Sequence, residues 1–142
     1  MRLAEACGLI KQDVYFEAER PFIRLCGHRW RRLKTYGSQR DIPLAGAALW
    51  SAKRAYEESK SEFLFARYCN EEGCRADHAS NALNKWLKQY VPEGCVVHSF
   101  RHSLRDRLRA VECPSEIIDE IGGWHTAGIG HGYGAGFSLI TK

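Results

Sequence analysis

No stretch of this 142-residue sequence stays apolar over the roughly 18–20 residues that a helix needs to cross a bilayer, so a soluble protein is expected. Internal repeats and low-complexity tails are missing as well, which removes solenoids and arrays from consideration. No secretory signal opens the chain. The six cysteines, Cys7, Cys26, Cys69, Cys74, Cys95 and Cys113, therefore read as reduced thiols of a cytosolic protein rather than as a disulfide framework. There is no cluster of carboxylates suited to caging a divalent cation, so neither metal nor cofactor is expected. A strong excess of one charge is missing too: a formal net charge of +4 is compatible with an anionic partner but too small to establish one. Finally, "RLAEACGL" reads as the tail of a helix that closes at Gly8, with nothing before it to form the first turns. A fragment of a longer protein is expected, lacking the first part of its domain.

What remains is about the size of one globular domain, with 44% apolar residues. "PFIRLCG" and "RWRRLKTYGSQRDIPL" predict short strands with a turn at "YGSQ", hence a small antiparallel sheet. Helical spacing follows in "AGAALWSAKRAYEESK" through Leu49, Ala52, Lys53 and Tyr56. It returns in "SNALNKWLKQYV", where Leu83, Trp86, Leu87 and Tyr90 form one stripe. Between the two helices lies the polar loop "YCNEEGCRADH". "PSEIIDEIGG" predicts a helix that starts at Pro114 and Ser115, buries Ile117, Ile118 and Ile121, and stops at Gly-Gly. After Trp124 every second residue of "GIGHGYGAG" is glycine, which disfavours a helix there.

The segment "HSFRHSLRDRLR", residues 98–109, is the most informative. Phe100, Leu104, Leu108 and Val111 predict a buried stripe, with Ser99 as N-cap, and Arg101, Arg105 and Arg109 line up about 100° around the helix from it. Guanidinium forks near a helix N-terminus suit phosphate oxygens. A solvated basic face paired with Asp106 and Glu112 would explain the same residues, and the helix alone does not decide.

The rest of the chain bears on that choice. "HSFRH" resembles the His-x-x-Arg box of the tyrosine recombinases, or phage integrases, with His98 and Arg101 in the box positions. "RLAEACGL" is similar to the family's first-arginine motif, which places Arg2 in that role. The hairpin "RRLKTYGSQRDIPL" resembles the strand turn that bears an active-site lysine, which points to Lys34. "IGGW" marks Trp124, and the tyrosine expected nine residues later is Tyr133.

The resemblance implies a mainly α (α+β) catalytic domain with a small three-stranded antiparallel sheet over residues 1–142, a fragment expected to lack the family's N-terminal DNA-binding domain, and site-specific DNA recombination through a covalent 3′-phosphotyrosyl intermediate. It implies that Tyr133 is the nucleophile, Arg2 and Arg101 the phosphate clamp, His98 a proton acceptor, Lys34 the general acid and Trp124 an indole donor beside the site. The partners it implies are double-stranded DNA and further copies of the chain, four on two DNA sites, in a bacterial or phage-encoded, cytoplasmic and nucleoid-associated protein. Three rivals stay open. "RDRLRAVECPSEIIDEIGG" could be the helix-turn-helix of a non-catalytic DNA-binding module. Cys69, Cys74 and His78 could hold zinc in an interaction domain, although a fourth ligand is not evident. The same fold could also relax supercoils without a partner site.

Overall fold

The computed structural model describes residues 1–34 and 38–124. Its order is α1 (Leu3–Cys7), a 3-10 turn (Lys11–Asp13), β1 (Val14–Tyr15), β2 (Phe22–Leu25), β3 (Arg40–Pro43), α2 (Gly46–Glu58), β4 (Cys69–Asn70), β5 (Gly73–Cys74), α3 (Ala76–Leu87), α4 (Ser99–Ala110) and α5 (Ser115–Gly122). The mainly helical architecture with a three-stranded antiparallel sheet is the one expected. The sheet runs β1-β2-β3, with Val14 opposite Ile23 and Ile23 opposite Ile42. These inward residues alternate with an exposed cross-strand pair in which Nε and Nη2 of Arg24 each reach Asp41 at 3.0 Å.

The core sits between this sheet and α2. Leu9, Val14, Ile23, Leu44, Ala52 and Leu64 form one apolar cluster, against which Phe16, Leu49 and Ala55 pack. The expected spacing of Leu49, Ala52 and Tyr56 therefore marks the buried face of α2, while Lys53 is exposed. Leu25 is fully buried, and its replacement by alanine would cost about 2–5 kcal/mol. In α5, Ile117 and Ile118 are buried as the pattern indicates.

Four expectations need correction. The span 29–34 is not a strand, because Arg31 turns inward and its guanidinium binds Asp13 and the carbonyls of Gly8 and Cys26. A chain that feeds a buried arginine to those acceptors cannot also hold a regular ladder there. Lys34 therefore lies on an irregular connection between β2 and β3, and residues 35–37 of the expected turn lie outside the described residues. Second, Cys69 and Cys74 are not both reduced. The β4–β5 hairpin sets them directly opposite, with Cα atoms 4.2 Å apart, and they form a disulfide, which also removes them from a zinc set with His78. Cys7, Cys26, Cys95 and Cys113 are free thiols.

Third, α3 buries Ala79 and Leu87 but exposes Leu83, Trp86 and Tyr90. α3 packs against α1, and its most buried residue is Ala79. Fourth, α4 begins at Ser99 with His98 as N-cap, and it does not bury its apolar stripe. Phe100 is 64% exposed, Leu104 39% and Val111 73%, while Arg101 is buried. The inward side of α4 faces α5 and Trp124, where guanidinium groups over the indole replace the aliphatic contacts that the periodicity suggested.

Candidate active site

The short helix α1 is held at its start by Glu5. This carboxylate accepts the Arg2 backbone N–H at 2.6 Å and Arg2 Nη1 at 2.8 Å, the reach-back half of a capping box. Burial alone would raise the Glu5 carboxyl, but the Arg2 hydrogen bonds and the Arg40 charge outweigh it and hold the group below the usual carboxylate range. Arg40 approaches from β3, with Nη2 3.4 Å from Glu5. The same guanidinium donates from Nη1 to the Ser38 carbonyl at 2.6 Å, from Nε to that of Ile121 at 3.1 Å and from Nη2 to that of Gly122 at 3.2 Å. One side chain thus ties α1, β3 and the end of α5 together.

The end of α5 then places Trp124. Gly123 takes the left-handed conformation, with φ 62°, and the Trp124 N–H returns to the Asp119 carbonyl at 2.9 Å in a Schellman-type closure. A β-carbon at Gly122 would collide with the indole, so "GGW" is what allows the ring to fold back. The indole lies under two guanidinium groups, Arg101 at 4.2 Å and Arg105 at 5.0 Å from its centroid. Arg105 is anchored to Asp119 at 3.1 Å.

Among the described residues, Arg101 has no such carboxylate anchor. Its Nη1, like the Nε of Arg105, is buried and finds no hydrogen-bond partner among them. Burial, and after it the like charges of Arg2 and Arg40, pull its pKa below the ordinary arginine value. An arginine does not discharge under such pressure, so the group is a cation whose surroundings call for an anion.

Arg2, His98 and Arg101 all line one groove of about 390 Å³, walled by Leu3 and Ala6 of α1, Ser80 of α3, and Phe100 and Leu104 of α4. Two of the four apolar residues expected in the core, Phe100 and Leu104, thus wall this groove. The His98 ring meets that of His102 edge-on at 5.1 Å. Of the six residues singled out in the sequence, the fold gathers Arg2, His98 and Arg101, and sets Trp124 against Arg101. Lys34 is exposed and is not among the groove's lining residues. Tyr133 lies outside the described residues, together with His125, His131 and the glycine-rich segment. Arg40 was missed as a site residue, although the alternation of "RDIP" places it on the same face as the buried Ile42.

Residues 1–134 match the model of the phage integrase family. The chain belongs to that family, the tyrosine recombinases. Its fold is similar to a solved structure of the Tn1549 transposon integrase (aa 82–397) in complex with circular intermediate DNA, with a TM-score of 0.62 and 19% identity. The similarity covers 99% of this chain and 51% of the other, so this integrase-family chain spans about half the length of that relative. No curated protein matches the chain. Among the described residues of this family member, no helix is long and apolar enough to cross a membrane.

Proposed function

We propose that this chain provides the phosphate-binding and nucleophilic centre of a site-specific DNA recombinase. The observation that carries the reading is the groove where Arg2, His98 and Arg101 meet, with Arg101 Nη1 buried and lacking a partner among the described residues. Two guanidinium groups would clamp the non-bridging oxygens of a scissile phosphate and stabilise the charge that builds as phosphorus becomes pentacoordinate. They are preorganised for this by Glu5, Arg40 and Trp124, so little reorganisation accompanies the reaction.

In this scheme the Tyr133 oxygen attacks phosphorus, the bond to the 5′ oxygen breaks, and a 3′-phosphotyrosyl linkage conserves the energy of the lost bond for rejoining. A free phenol has a pKa of about 10, so its proton must pass to a neighbour. His98, an imidazole within the groove, is the acceptor. Lys34 supplies the proton to the 5′ oxygen from the β2–β3 connection. Trp124 packs under Arg101 and contributes no titrating group. Double-stranded DNA is the substrate, with several copies of the chain assembled on it during strand exchange.

The test is incubation of the full-length protein with a nicked suicide duplex, followed by denaturing electrophoresis. A covalent protein–DNA band is expected, and it should vanish in Tyr133→Phe while DNA binding persists. A protein that binds the duplex without ever forming that band would be a DNA-binding module and not a recombinase.

A further inference from the structure

Outside the residues that line the groove, three ligand-type side chains converge that the recombination chemistry does not use. Asp13 ends the 3-10 turn, while Cys26 and His28 follow β2. Cys26 Sγ lies 3.5 Å from His28 Nε2 and 3.7 Å from Asp13 Oδ1, and His28 Nε2 lies 3.0 Å from Asp13 Oδ1. We propose that Asp13 Oδ1, Cys26 Sγ and His28 Nε2 form a binding site for a divalent transition metal, with zinc the best chemical fit.

The spacing is the first reason. Tetrahedral zinc with a bond of about 2.3 Å to sulfur and about 2.0–2.1 Å to nitrogen and oxygen separates neighbouring ligand atoms by about 3.3–3.6 Å. The observed triangle of 3.5, 3.0 and 3.7 Å needs adjustments of a few tenths of an ångström. The ligand set is the second, since thiolate with imidazole selects zinc or a similar borderline metal over magnesium or calcium.

The surroundings are the third reason, because they orient each ligand from behind. Asp13 is 3% exposed, and its other oxygen, Oδ2, accepts from Arg31 Nη1 at 2.8 Å and from the Ile10 N–H at 3.1 Å, which leaves Oδ1 for the metal. The His28 ring is stacked on Trp30 with centroids 4.8 Å apart, and the Trp30 indole is fixed by its bond to the Gly8 carbonyl. Arg31 also holds the Cys26 carbonyl through Nε and Nη2. The fourth position falls to solvent on the side of His28, whose side chain is 23% exposed.

Without metal, burial first and the Asp13 charge second keep Cys26 a neutral thiol. Binding would transfer the thiol proton to solvent and form the sulfur–metal bond. With Asp13 and Cys26 anionic and His28 neutral, the ligands carry two negative charges, and the Arg31 guanidinium offsets one of them. Affinity is therefore expected to be moderate, below that of an all-thiolate site. The metal would brace the root of the connection that carries Lys34.

Cobalt(II) titration of the reduced, folded protein tests the site. Tetrahedral cobalt bands with a thiolate-to-metal charge-transfer band are expected, displaced by zinc, and zinc should raise Tm by several degrees. Cys26→Ser and His28→Gln should each lose the charge-transfer signal or weaken cobalt binding at least tenfold, while Cys74→Ser keeps it; using two ligand variants guards against one that fails to fold. A folded protein with no charge-transfer band overturns the proposal. So does a band that survives Cys26→Ser and disappears in Cys74→Ser, which would place the metal at Cys69, Cys74 and His78.

Discussion

In the sheet half of the molecule Arg31 is 2% exposed and every guanidinium nitrogen has an acceptor: Nε and Nη2 bind the Cys26 carbonyl, and Nη1 binds Gly8 and Asp13. In the helical half Arg101 is 9% exposed, rests on an indole face, and keeps a buried Nη1 without an acceptor among the described residues. Both side chains are cations withdrawn from water. One is neutralised by its own fold, and the other lines a groove and keeps unfilled hydrogen-bonding capacity. The difference teaches that burial of an arginine is uninformative until its donors are accounted for. A completed set marks structure, and an incomplete one marks a place where something else must bind.

Replacing each arginine by alanine separates the two cases. Arg101→Ala should lower formation of the covalent DNA complex by about 10²–10³ or more, the scale of losing a preorganised donor to a developing anion. Its Tm should stay near the parent value, because the change relieves repulsion with Arg2 and Arg40. Arg31→Ala should do the reverse. Asp13 would be left buried without its strongest partner, at a cost of about 3–5 kcal/mol in urea unfolding. Equal stability losses in the two variants would erase the contrast.

Acid should sharpen it further. Asp13 is subject to burial, which raises its pKa, but the hydrogen bonds from Arg31, His28 and the Ile10 N–H prevail and hold it below the ordinary carboxylate value. Glu5 is depressed in the same net sense. A carboxylate with a lowered folded pKa adds stability that is complete above its unfolded pKa, about 3.9–4.3, and is lost as pH falls through the folded value. Unfolding free energy should therefore fall steeply below about pH 4. Asp13→Asn should start from a lower plateau but show a shallower acid limb. A limb of unchanged slope would mean that Asp13 is not held as the structure indicates.

How much of this was legible beforehand follows from what each residue answers to. Ile117 and Ile118, Leu49 and Ala52 answer to local periodicity, and they are where the pattern puts them. Arg2, His98 and Arg101 came from family motifs, which encode spatial proximity that spacing alone cannot show. Phe100, Leu104 and Val111 misled because an apolar stripe states only that a face avoids water. It does not say whether a core, a groove or a partner covers it. The Cys69–Cys74 pairing depends on a short hairpin whose Asn70 and Gly73 turn positions were read as loop. The burial of Arg31 and Arg40 is not legible in the sequence, because nothing local announces the carbonyls of Gly8, Ile121 and Gly122 that receive them.

The smallest effect concerns two helix ends. At α5 the left-handed closing position is Gly123, with φ 62°. At α4 the equivalent position is Glu112, with φ 56°. Both close in the same way: Glu112 N–H returns to the Arg109 carbonyl at 2.9 Å and Cys113 N–H to that of Leu108 at 3.0 Å, as Gly123 and Trp124 return to Glu120 and Asp119. A residue with a β-carbon is disfavoured there by about 1–2 kcal/mol, while glycine gains about 0.5–1 kcal/mol of freedom in the unfolded chain that folding must remove. Glu112→Gly should therefore raise the urea midpoint by the equivalent of about 0.5 kcal/mol with an unchanged m value. DNA cleavage should not change, since Glu112 is exposed and does not line the groove. If the midpoint falls instead, the Glu112 side chain makes compensating interactions in solution, and the end of α4 is held by more than its backbone.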